Sequence, residues 1–283
     1  MNVRLDGNKL SRIVMMALVL AFSAAAPGQT GQYQQLEPKV IENRLQQYSG
    51  SDPVREATLR KIFREAGCTG ERLKEQAVLD SMAPNLVCTL PGTGEGVIIV
   101  GAHFDHVAPG DGVVDNWSGA SLLPSLFQSL SSKPRNHTFV FISFTDEEKG
   151  FVGSQSYVAG LGREEIARIR AMVDVDTIGL GPTEIWVSNS DPILVKNLID
   201  VAASLKLPIR GMNVDGVGDS DSRTFKARKI PTITLHSVTN DTVRILHTRK
   251  DSYSAIKPDS YYESYRLISA YLAALDTALL QRH

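Results

Sequence analysis

The chain has 283 residues, 42% apolar and 22% charged, enough to bury one large core, and its formal net charge is −1. That balance, with no cluster of Lys and Arg, argues against nucleic acid as a partner, and the lack of low-complexity stretches argues against disorder. Residues 1–26 begin with Arg4, Lys9 and Arg12 and continue into an apolar run from Ile13 to Ala26. That run is short of the roughly 20 residues a membrane span needs. A basic start, a short apolar centre and small residues at the end predict a secretory signal peptide; an uncleaved anchor is the alternative. The mature protein is expected to be exported to the periplasm or the medium, without stable membrane insertion.

Residues 27–36 read as a polar linker. Helical patterns follow over 37–48 and 52–67, the second with Pro53 at its start and Gly67 at its end. Apolar, β-branched runs at 85–90, 96–103, 138–145, 171–178, 184–188 and 231–238 predict strands. Segments 116–132, 153–161, 163–169 and 191–206 predict helices between them, and 259–281 a strongly amphipathic helix. This alternation predicts an α/β fold: a three-layer αβα sandwich around a mixed, largely parallel central sheet, in one domain over 37–283. Cys68 and Cys88 either pair, as an oxidising compartment allows, or stay as two buried thiols.

In open α/β sheets, sites form beyond the carboxyl ends of strands. The run from Gly96 ends at His103 and Asp105, and Asp115 follows on a glycine-rich turn before a helix. The next strand ends at Asp146, Glu147 and Glu148, the one after carries Asp174 and Asp176, and the last leads to a loop holding His247. Each has a plain reading alone: a strand-end histidine, an acidic turn, a capping aspartate. Asp174 competes with Asp176 for a place in a site, and His236 with His247. Together they gather groups that are costly to desolvate unless paired, and a metal ion is one such partner. Zinc accepts both imidazole and carboxylate, and two ions can share a bridging carboxylate, for which Asp115 is the candidate. Of two adjacent glutamates, one can bind metal while the other takes a proton from water. The acidic loop Asp215–Asp221 lacks EF-hand spacing, and no Gly-x-Ser-x-Gly elbow follows a strand.

The segments GAHFDHV, VVDNWSGAS, FTDEEKGFVGS, VDVDTIG and LHTRKDSYSAI carry a resemblance. In this order, over roughly residues 85–280, the chain is similar to the zinc aminopeptidases of metallopeptidase family twenty-eight. That family includes secreted bacterial leucyl aminopeptidases, and glutaminyl cyclases are its relatives. The resemblance implies a zinc-exopeptidase-like fold, two Zn2+ per chain, and hydrolysis of the first bond of peptides with a free N-terminus. It implies His103 and Asp176 as ligands of the first ion, Asp115 as the bridge, and Glu148 and His247 as ligands of the second. Asp105 would orient His103, and Glu147 would be the general base; His106 and His137 are expected to be ordinary residues. Two positions depart from the pattern. Leu246 stands where some members have a tyrosine that helps stabilise the oxyanion, and Ser222 stands where the Ser-Asp-His loop has its histidine.

The alternatives are a single-zinc glutaminyl cyclase forming N-terminal pyroglutamate and a non-catalytic peptide-binding relative. The Asp-Asn-x-Ser-Gly segment and the full set of ligands favour the peptidase. Residues 180–246 are needed for core strands and a helix, which leaves no room for the inserted lid of related carboxypeptidases and favours a monomer.

Overall fold

The computed structural model describes residues 32–216 and 218–281; the signal peptide and the first half of the linker expected from the sequence lie outside them. Among the described residues, eight strands form one sheet: β1 (Leu73–Gln76), β2 (Asn85–Leu90), β3 (Val97–His103), β4 (Thr138–Phe144), β5 (Ile169–Val175), β6 (Glu184–Ile185), β7 (Arg210–Gly211) and β8 (Thr232–His236). Their spatial order is β1-β2-β4-β3-β5-β8-β6-β7. The centre, β4-β3-β5-β8, is parallel, and antiparallel pairings of β2 with β4 and β6 with β8 flank it.

Parallel strands must be covered on both faces, and side-chain alternation supplies two apolar surfaces. Phe139 and Phe141 of β4 face one core; Val140, Ile142 and Phe144 face the other. The larger core is closed by α1 (Pro38–Leu45), α2 (Asp52–Glu65), α3 (Ser118–Ser131), α6 (Pro192–Leu205) and α8 (Pro258–Ala278). The smaller is closed by α4 (Val152–Ala159), α5 (Arg163–Arg168) and α7 (Ser222–Ala227). This is the three-layer α/β sandwich read from the sequence. Helix α8 shows why the layers hold: Leu267, Ile268, Leu272 and Leu275 are fully buried, each contributing about 1.5–3 kcal/mol of transfer free energy.

The element boundaries differ where local pattern is weak. Strand β1, of sequence LKEQ, is a polar edge strand with no apolar alternation, and β7 is two residues long, so neither is legible locally. Strand β5 starts at Ile169, the residue expected to end the preceding helix. Only Glu184 and Ile185 of the 184–188 run pair as strand; Val187–Asn189 turn into a 3-10 helix. Residues expected to be loop form α7, which Phe225 pins into the smaller core. Cys68 and Cys88 are joined in a disulfide, with Cα atoms 6.4 Å apart, tying the end of α2 to β2.

Candidate active site

The parallel strands end on one side, and the polar residues leave from there. His103 is the last residue of β3, Glu147 and Glu148 follow β4, Asp176 follows β5, and His247 lies in the loop beyond β8. Asp115 sits in the irregular turn Val113–Trp117 that leads into α3. His103 Nε2 is 3.3 Å from Asp115 Oδ1 and 3.6 Å from Asp176 Oδ1. His247 Nε2 is 3.2 Å from Asp115 Oδ2 and 3.1 Å from Glu148 Oε1. Two donor triads therefore share Asp115, each through its own carboxylate oxygen. A tetrahedral zinc with bonds of 2.0–2.1 Å keeps its donors about 3.3–3.4 Å apart, so both the spacing and the imidazole–carboxylate chemistry fit that ion.

Local backbone choices aim these groups. Gly112 has φ 54°, and a Cβ there would lie 2.2 Å from the Cβ of His106, so only glycine enters this turn without strain. Asn116, next to Asp115 across a cis peptide bond, staples the turn to the end of β5. Its Nδ2 donates to Val175 O at 2.9 Å, and its Oδ1 accepts from Thr177 N at 3.0 Å and Gly119 N at 2.9 Å. Asp251 accepts from Val114 N at 2.7 Å and Asp115 N at 3.3 Å. Asp105 lies 3.5 Å from His103 Nδ1 and accepts the Glu147 and Glu148 amides at 3.0 and 3.1 Å, so one carboxylate lies against the histidine and both glutamate amides. Asn116 and Asp251 lay inside quoted motifs, but nothing local marked them as supports.

The electrostatics report unbalanced negative charge. Burial pushes Glu147 up to about 10, against the pull of His103, and Asp221, Asp176 and Glu148 add to the rise. Burial and the Asp115 charge take Glu148 to about 7. Burial opposes ionisation of Asp115, yet the hydrogen bonds from His103 and His247 hold it well below the usual carboxylate range. The bond to Asp115 lifts His247 to about 9. Burial alone would lower His103, but Glu147 and the contacts with Asp105, Asp115 and Asp176 raise it well above its ordinary value. Cations seated among these donors would relieve that imbalance.

The competing residues separate cleanly. Asp174 points toward the smaller core and accepts the Ser222 amide at 3.1 Å, while Asp176 joins the donor triad. His236 lines the cleft, but its Nε2 meets Met212 O at 2.9 Å and its Nδ1 accepts from Val238 N at 3.1 Å, which fixes it as a neutral ring. His106 is 3.9 Å from Asp52, and His137 bonds to Asp276. The donors open on a cleft of about 470 Å3 whose apolar walls include Phe151, Trp186, Val214, Val238, Val243 and Leu246. Tyr253 does not line it: the phenol donates to Glu42 and the ring stacks on Tyr48. Ser222 is fully buried against Thr234 and Asn189; the same loop offers Gly218 and Asp219 to the cleft.

Comparison with known proteins follows the same lines. Over 151 residues the chain is 31% identical to leupeptin-inactivating enzyme 1 of Streptomyces exfoliatus, covering 52% of this chain and 34% of that protein. The chain spans less than half the length of the curated relatives it matches. In fold it is similar to the LapA aminopeptidase of Legionella pneumophila, with a TM-score of 0.72 and 20% identity over 85% of this chain and 70% of that one. It is also similar to a glutaminyl cyclase from an Acidobacteriales bacterium, with a TM-score of 0.71 and 18% identity over 91% of this chain and 99% of that one. At such identities these two structures establish the fold. The sequence model of Peptidase family M28 matches residues 85–272, more than half of the chain and all of the donor residues, and on that ground the chain belongs to peptidase family M28.

Proposed function

We propose that the chain is a zinc-dependent aminopeptidase that removes the N-terminal residue of peptides and holds two zinc ions. The observation that carries this reading is the pair of donor triads joined through Asp115, with Glu147 beside them and an apolar cleft in front. Family membership and relatives named as aminopeptidases support it. Bound zinc would supply Lewis acidity toward a substrate carbonyl and toward water. The protein's own residues do the rest. Glu147 takes the proton of the attacking water and delivers it to the leaving amine. Asp105 holds His103 and the Glu147–Glu148 backbone in register for that transfer. The cleft receives the N-terminal side chain, and Leu246 offers no donor to the developing oxyanion, so that stabilisation would have to come from bound zinc or another donor. Export, a monomeric state and a catalytic domain over 37–283 belong to the same reading; the Cys68–Cys88 bond suits an oxidising compartment.

The fold shared with a glutaminyl cyclase favours a second reading, single-zinc closure of N-terminal glutamine. One peptide beginning Gln-Leu, followed by mass spectrometry with zinc-loaded protein, separates the two. Loss of the whole glutamine residue is the expected outcome. Loss of ammonia alone would replace the peptidase reading with the cyclase.

A further inference from the structure

Helix α2 lies outside the stretch matched to the family, yet it sends one side chain beneath the site. Arg55 is 1% exposed. Its Nη1 donates to Phe104 O at 3.1 Å and to Gly112 O at 3.2 Å, and its Nη2 donates to Asp111 O. The guanidinium carbon lies 5.7 Å from the centre of the Trp117 ring. The three carbonyls bracket the segment that matters: Phe104 precedes Asp105, and Asp111 and Gly112 precede Asp115. Asp251 grips the same segment through the Val114 and Asp115 amides, and its own carbonyl accepts from Asp111 N at 2.8 Å.

A buried cation is costly to desolvate and persists where its donors are well used. Here the planar fork of one arginine reaches three carbonyls from two turns of the loop, which a lysine, a single point charge, cannot reproduce. We propose that Arg55 is a positioning residue for the metal centre: by clamping these carbonyls it fixes the loop that presents Asp105 and Asp115, and α2 is thereby part of the metal site. The inference rests on the reading that the triads hold zinc, and not on which reaction follows.

The test compares full-length wild type, Arg55→Lys and Leu59→Ala. Leu59 is fully buried in the larger core on the same helix, so its variant loosens α2 without touching the loop carbonyls. Zinc affinity is read by competition with a chromophoric chelator, and hydrogen–deuterium exchange of residues 104–117 is followed in the zinc-free proteins. Arg55→Lys should fold, exchange faster over 104–117, and bind zinc about 10- to 100-fold more weakly. Leu59→Ala should melt earlier yet bind zinc within about twofold of wild type. Wild-type zinc affinity in folded Arg55→Lys, or an equal loss in Leu59→Ala, overturns the proposal. Should Arg55→Lys not fold, Arg55→Gln is read by the same two measurements with the same outcomes. Neither readout uses peptide cleavage, so a protein that binds zinc and cleaves nothing sinks the aminopeptidase reading alone.

Discussion

The two donor triads share Asp115 but sit in different surroundings. The His103 side chain is 3% exposed and ends a central strand, with its backbone in register opposite Phe144 of β4. The His247 side chain is 50% exposed, at φ 57°, in a loop beyond the 3-10 turn Val243–Ile245. One half of the centre is therefore placed by sheet hydrogen bonding and packing. The other is placed by a loop, which Asp251 ties to the turn that carries Asp115. The lesson is that equal donor chemistry need not mean equal rigidity: the strand-anchored half should hold zinc tightly, and the loop-borne half should exchange it.

The largest expected effect tests whether Glu147 stands apart from both halves. Glu147→Gln should lower kcat about 10²- to 10⁴-fold while zinc content, measured by elemental analysis, stays at the wild-type value. Loss of an ion would make Glu147 a ligand and redraw the two triads. A smaller effect sharpens the contrast itself. His247→Ala should lose one ion and keep the other, whereas loss of both would show that the halves are not independent.

The same half should depend on pH. In the zinc-free protein the bond to Asp115 raises His247 to about 9, so zinc must displace a proton below that value. Zinc affinity at this half should rise about tenfold per pH unit between 7 and 9, with proton release visible by calorimetry in buffers of different ionisation enthalpy. Without zinc the sign reverses. The histidine pairing stabilises fully below its unfolded value, near 6.5, and is lost as pH rises through about 9.

The smallest effect lies far from the centre and serves as its control. Asp276 accepts from the Asn136 and His137 amides at 2.9 and 2.7 Å, fastening α8 to the start of β4. Burial opposes its ionisation, but the His137 and amide bonds outweigh that and hold it below the usual range. Its contribution is present above the unfolded value near 4 and lost as pH falls through the depressed one. Asp276→Asn should cost about 1–2 kcal/mol at pH 7 in a denaturant melt, leave zinc affinity unchanged, and flatten the acid limb of stability. A change in zinc affinity would mean that the far end of β4 is coupled to the site.

Much of the fold was legible because its central strands are buried on both faces and read as β-branched runs bounded by turns. The failures sit where packing outweighs pattern: LKEQ pairs as an edge strand because β2 offers a free edge beside it, and α7 forms because Phe225 finds an apolar slot. The candidate donors were legible because carboxylates and imidazoles at strand ends are costly without a partner, and the resemblance to the family implied which of them form the set. Their supports were not. Asn116 and Asp251 look like ordinary loop residues, and Arg55 like one more basic residue on an amphipathic helix, until the chain brings segments 55, 104–116 and 251 together.

By itself, then, the sequence determined which donors exist, in what order they leave the strands, and that the layers would be α, β and α, since these follow from periodicity and side-chain chemistry. Tertiary structure supplied the physical reason for the member of each competing pair that the family resemblance implied: Asp176 and His247 stand in the two donor triads. Alternation along β5 turns Asp174 toward the smaller core, and the strand ends before Asp176, freeing it toward His103. His236 is consumed by two backbone bonds, while a left-handed residue lets His247 reach Asp115. That geometry depends on distances between segments far apart in the chain, which hydrophobic periodicity does not encode.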